Sequence, residues 1–224
     1  MRKKNYPFAQ PGIVVRLLRN TKLIFRRIYM KKFAFLAAVV FAFAIGISAQ
    51  GVQIGATLED FSLADTAGKM QSLKSLKGRN GTVLIWLSAQ CPVVKAYHER
   101  INALSAEYAA KGINFVGVNS NATEDLNWVT TDAATVGYKF PILIDKGNVL
   151  ADKLGATVTP EIFYIDGKGK LLYHGAIDND RSGRNIEETY ARAAFDASLS
   201  GKEIIKSKTS AFGCSIKRAN GKGQ

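Results

Sequence analysis

Five consecutive apolar residues, Val83-Leu84-Ile85-Trp86-Leu87, run almost directly into Cys91-Pro92, where a helical pattern starts. A stretch apolar at every position reads as a strand buried on both faces, which belongs in a sheet covered by helices on each side. Pro92 suits the first helical turn, where its missing N–H costs no hydrogen bond. Val94, Tyr97, Ile101, Leu104 and Tyr108 recur at spacings of three and four, giving one apolar face to about Ala110, and Lys111-Gly112 closes the helix. This junction aims the Cys91 thiol at a helix N-terminus. Free N–H groups and partial positive charge there favour thiolate over thiol and make the sulfur a nucleophile. The competing reading of Cys91 is a small buried core residue.

Strand and helix patterns alternate through the rest of the chain after residue 50, which predicts an α/β domain with a central sheet. Phe61–Leu63 and Met70–Leu73 flank Asp65–Lys69 as a hairpin. Ile113–Val118 reads as the next strand. A helix follows to about Val136, with Thr123 as its N-cap and Glu124 and Asp125 in its first turn. Phe140–Ile144 is a short strand and Val149–Leu154 a short helix closed by Gly155. Ile162–Ile165 and Leu171–Tyr173 form a hairpin around Asp166-Gly167-Lys168-Gly169, and a last helix is predicted over Asn185–Leu199. Gly167-Lys168-Gly169 has no following helix and no Lys-Ser/Thr ending, so it reads as a turn and not a phosphate loop.

The formal charge of +13 suggests an anionic partner until its distribution is seen. Residues 1–49 hold ten of the 31 Lys and Arg and none of the 18 Asp and Glu, leaving +3 for the remainder. Nucleic acid is therefore not an expected partner. Met30-Lys31-Lys32 precedes the 15-residue apolar stretch Phe33–Ile47, and Ser48-Ala49 follows. That is the pattern of a secretory signal peptide, with cleavage expected after Ala49 and export to the periplasm or cell exterior. The same run read as an uncleaved anchor is short for a bilayer span and would be the one membrane contact. Met30 is itself a candidate start. The predicted divisions are residues 1–49 as extension and signal peptide, 50–201 as the folded domain, and 202–224 as a tail carrying Cys214. Beyond residue 49 the cysteines are Cys91 and Cys214 and the histidines His98 and His174, too few soft ligands for a structural metal site, so neither metal nor cofactor is expected.

From about Gly51 to Leu199 the chain resembles the thioredoxin-like superfamily, in its redoxin branch. Four strings carry the resemblance: the strand–Cys-Pro–helix junction at Val83–Lys95, the strand Phe115–Asn119 after the long helix, Val158-Thr159-Pro160-Glu161, and the hairpin Phe163–Leu171. It implies a central mixed sheet flanked by helices, with an N-terminal hairpin extension and a C-terminal tail. It also implies a cis peptide at Thr159-Pro160 that turns Thr159 toward the reactive sulfur, where substrate backbone is held. An ordinary trans-proline opening an edge strand is the alternative.

Departures from the family narrow the chemistry. The second cysteine of a Cys-x-x-Cys pair is replaced by Val94, and the buried aspartate of thioredoxin by Ile85. Against the peroxiredoxin pattern, Ser88 fits the hydroxyl three residues before Cys91. The proline position, however, holds Leu84, and the peroxidase arginine falls on Leu172, leaving Arg181 or Arg184 as substitutes. Cys214, in Phe212-Gly213-Cys214-Ser215-Ile216, resembles the tail cysteine of some exported redoxin-family proteins. It is a candidate resolving thiol, a structural bridge or a free thiol, on a segment that flanking Gly and Ser make flexible. The resemblance thus implies an exported thiol oxidoreductase with Cys91 and Cys214 as catalytic residues. Ser88, Pro92, Thr159 and Pro160 would contact substrate, and the partners would be a thiol or disulfide protein and a thiol reductant protein. A hydroperoxide reductase and a non-catalytic thioredoxin-fold binding module are the alternatives. Lys95 is a candidate for lowering the thiol pKa; His98 and His174 are read as helix-surface and hairpin residues.

Overall fold

The computed structural model describes residues 51–219. The signal-peptide and start-site expectations for residues 1–49 lie outside them. Among the described residues no helix is long and apolar enough to cross a membrane.

The strand predicted at Val83 is β3, Gly81–Trp86, and all six of its residues are buried. It pairs in parallel with β4 (Ile113–Asn119) and antiparallel with β7 (Glu161–Ile165), so it is the middle of a five-stranded sheet. β5 (Ile142–Ile144) extends the sheet beyond β4, and β8 (Leu171–Gly175) beyond β7, giving the order β5-β4-β3-β7-β8. On one face lies α2 (Pro92–Ala110), which buries Val94, Tyr97, Ile101, Leu104 and Tyr108, the predicted stripe. It packs with α3 (Leu126–Val136) and α5 (Tyr190–Leu199) over Val83, Ile85 and Phe115. The other face is covered by α1 (Leu73–Leu76) and α4 (Val149–Leu154) against Leu84, Trp86 and Val116. Alternating side chains of one central strand thus supply two cores.

Both sheet edges are covered, which removes free pairing edges. The hairpin of β1 (Ser62–Ala64) and β2 (Met70–Ser72) lies against β5 through an Asp65–Leu143 bridge. Residues 207–209 run along β8, where His174 N–H donates to Ser207 and Thr209 N–H to His174. The chain then turns into β9 (Cys214–Ser215), which pairs antiparallel with β6 (Val158–Thr159).

Several predicted boundaries move. α3 begins at Leu126 with Asp125 as N-cap, its carboxylate accepting from Trp128 N–H at 2.8 Å, because Glu124 is turned inward. β5 begins at Ile142 and not Phe140. α5 begins at Tyr190 and not Asn185. Asp180 accepts from Asn185 N–H and Asn179 from the N–H groups of Glu187 and Glu188, and these side-chain bonds hold the segment as a loop.

Candidate active site

Three segments meet at Cys91: the loop entering α2, the Thr159-Pro160 turn between β6 and β7, and the tail. Cys91 is the N-cap of α2 and Pro92 its first residue, exposed. The sulfur accepts from Val94 N–H at 3.5 Å, so the thiol does occupy the helix N-terminus. The Thr159-Pro160 peptide is cis, and the Thr159 carbonyl accepts from the Cys91 thiol at 3.3 Å.

The tail completes the site. β6–β9 pairing sets Cys214 opposite Thr159, and Cys214 lies at hydrogen-bonding range of Cys91 with both sulfurs in the free state. The chain is anchored on both sides of Cys214. Before it, Phe212 packs on Tyr97 with ring centroids 6.4 Å apart. After it, Ile216 is buried in the second core, Lys217 N–H donates to Asn121 at 2.9 Å, and Arg218 donates to the Ala156 carbonyl at 2.6 Å. Gly213 is required here by space. A Cβ on it would sit 1.9 Å from the Thr159 carbonyl oxygen. The tail expected to be flexible is therefore seated, and its glycine provides close approach rather than freedom.

The two thiols are driven apart. Burial pushes Cys91 up, but hydrogen bonds from Cys214, Val94 N–H and the Thr159 side chain outweigh it, and its pKa is lowered. Burial and the hydrogen bond it gives to Cys91 push Cys214 up. Ionisation is thus favoured at Cys91 relative to Cys214. Lys95 is exposed.

Glu124 is the site residue that sequence reasoning placed wrongly, in a helix first turn. Its carboxylate accepts from Ser88 Oγ at 2.5 Å, Ala89 N–H at 3.1 Å, Gln90 N–H at 3.0 Å and Asn119 Nδ2 at 2.6 Å. It clamps the loop immediately before Cys91. The Ser88 hydroxyl is directed to this carboxylate and helps hold the loop. Only an acidic residue beside a strand end could have hinted at this in the sequence.

On the far side of the cis-proline, Glu161 is buried and accepts from Thr157 N–H at 2.7 Å, and its other oxygen lies 2.6 Å from His174 Nε2. His174 stacks on Phe163 with ring centroids 4.0 Å apart. His98 lies between α2 and Tyr138, with a pKa lowered by burial. Arg181 and Arg184 are in the exposed loop around Asp180.

A central sheet of this order, a thiol at the start of the helix after its middle strand and a cis-proline across from it define a thioredoxin-like protein. The Redoxin family model matches residues 53–192, and the chain belongs to that family. It is 29% identical over 157 residues to thiol-disulfide oxidoreductase ResA of Bacillus thuringiensis (strain Al Hakam), covering 69% of this chain and 88% of that one. It is 35% identical over 115 residues to thiol:disulfide interchange protein DsbE of Tatumella citrea, covering 50% of this chain and 57% of that one. Among solved structures, a hypothetical protein from Sinorhizobium meliloti 1021 matches with a TM-score of 0.70 and 31% identity, over 76% of this chain and 97% of that one. With such relatives the chain is an oxidoreductase.

Proposed function

We propose that the protein is a thiol–disulfide oxidoreductase cycling between a Cys91/Cys214 dithiol and the corresponding disulfide. The supporting observation is the pairing of a lowered-pKa thiol with a raised-pKa thiol across the β6–β9 ladder, beside the cis-proline. In the reaction the Cys91 thiolate attacks one sulfur of a substrate disulfide. That S–S bond breaks, one substrate thiolate leaves and a mixed disulfide forms on Cys91. Cys214 then loses its proton and attacks the Cys91 sulfur, which releases the second substrate thiolate and leaves Cys91–Cys214 joined. The substrate gains two electrons and the protein loses two, and a thiol reductant protein restores the dithiol. Cys91 is 1% exposed with the tail seated, so the first step requires the tail to lift, which no covalent bond prevents in the dithiol state. Thr159 and Pro160 then hold the substrate backbone that replaces the tail.

The test is insulin reduction together with non-reducing mass spectrometry. Cys214→Ser should accumulate a substrate mixed disulfide on Cys91. Absence of a Cys91–Cys214 linkage at every stage of oxidation would defeat the proposal, as would hydroperoxide consumption much faster than disulfide exchange. Export rests on the Met30–Ala49 pattern. Sequencing the N-terminus of the mature protein from a fractionated cell should find residue 50 first, and a cytoplasmic chain beginning upstream of it would reject export.

A further inference from the structure

The same pair of sulfurs differs in which one the solvent can reach. Cys91 is enclosed, 1% exposed, with α2 behind it and the Thr159 turn and the tail around it. Cys214 is partly exposed, on a strand whose neighbours Gly213, Ser215 and Lys217 are all exposed. A thiolate attacking a disulfide approaches along the S–S axis, from the side opposite the departing sulfur. Attack on Cys91 would have to come through the protein behind Cys91. Attack on Cys214 comes from outside. The bond itself also fixes the tail over Cys91, so the lifting that opens Cys91 in the dithiol state is not available once the disulfide has formed.

We propose that the thiol reductant regenerating the oxidised protein enters at Cys214, forms its mixed disulfide there and releases Cys91. This rests on the Cys91–Cys214 cycle proposed above and adds its polarity. The reductant thiolate bonds to the Cys214 sulfur, the Cys91–Cys214 bond breaks, and the electron pair leaves on Cys91. A second thiol of the reductant then attacks its own sulfur in the mixed disulfide. Cys214 departs and takes up a proton, and the reductant is left as a disulfide. The leaving-group chemistry agrees, because the sulfur of lower pKa leaves faster and Cys91 is the lowered one. Lys217, whose charge acts on the Cys214 thiol, gives the entrance a positive flank. The partner surface is thus the tail strand and the exposed Pro92 corner. Substrate and reductant would use different sulfurs of one site.

The experiment uses the full oxidised chain with glutathione as the reductant probe and iodoacetamide present to alkylate each thiol as it is released. Peptide mapping then locates both adducts. Glutathione on Cys214 with carbamidomethyl on Cys91, at an excess of about tenfold or more over the reverse pattern (equivalent to roughly 1.4 kcal/mol between the two routes), is the expected result. Glutathione chiefly on Cys91, or equal labelling, overturns the polarity while leaving the dithiol cycle standing. Failure of mild oxidation to yield the internal disulfide at all overturns both.

Discussion

The two segments that bracket Cys91 are held by opposite means. On one side the loop Ser88–Gln90 is clamped by a single carboxylate, Glu124, through one side-chain and two backbone donors. On the other, the tail is held by a short ladder, a glycine fitted against the Thr159 carbonyl, and anchors at Phe212 and Ile216. The first arrangement keeps the nucleophile where it is. The second is spread over many small contacts. In the proposed cycle, a thiol that must be fixed and a partner thiol that must come and go would be served by these two different attachments.

The largest effect that probes this contrast is Cys91→Ser, which should reduce insulin-reduction turnover to background while the tail stays seated. Gly213→Ala comes next. Its Cβ would overlap the Thr159 oxygen, and relief by lifting the tail at a cost of about 1–3 kcal/mol should raise the Cys91 alkylation rate roughly tenfold or more. Unchanged alkylation would show that the seat tolerates the methyl group and that the contrast is overstated. Glu124→Ala leaves the loop donors without an acceptor and should lower stability by about 2–3 kcal/mol in urea denaturation, with Cys214 still able to pair with Cys91. If it instead frees the tail, the two attachments are not independent.

The subtlest test is pH. Iodoacetamide titration of the reduced protein should give a Cys91 midpoint below the ordinary thiol value of about 8.5 and a Cys214 midpoint above it. The signs for stability follow. Cys91, lowered on folding, contributes stability that is full above its unfolded pKa and is lost as pH falls through its folded one. Cys214, raised, contributes stability that is full below its unfolded pKa and is lost as pH rises through its folded one. Merged midpoints would remove the asymmetry between the sulfurs.

The parts of this molecule that follow from local pattern were legible in the sequence. The all-apolar strand, Pro92 at the helix start and the 3–4 spacing of α2 each depend on neighbouring residues, whereas the Thr159-Pro160 turn followed from the family resemblance. Glu124 was not legible, because its meaning depends on Ser88, 36 residues earlier, and an acid near a helix start has an ordinary explanation that hides the other. Gly213 misled for a related reason. A glycine permits either mobility or close contact, and only the chain lying against it decides which. The Asn185–Glu188 segment looked helical because its local sequence suits a helix N-terminus, whereas Asn179 and Asp180 capture its amides first.

The β6–β9 ladder also has a temporal side. Cys214 is made more than a hundred residues after Cys91, when every strand of the central sheet has already been synthesised. The segment that covers Cys91 is thus the last part of the fold to become available. Thiol reactivity of the reduced protein should therefore report whether that last segment is docked over Cys91.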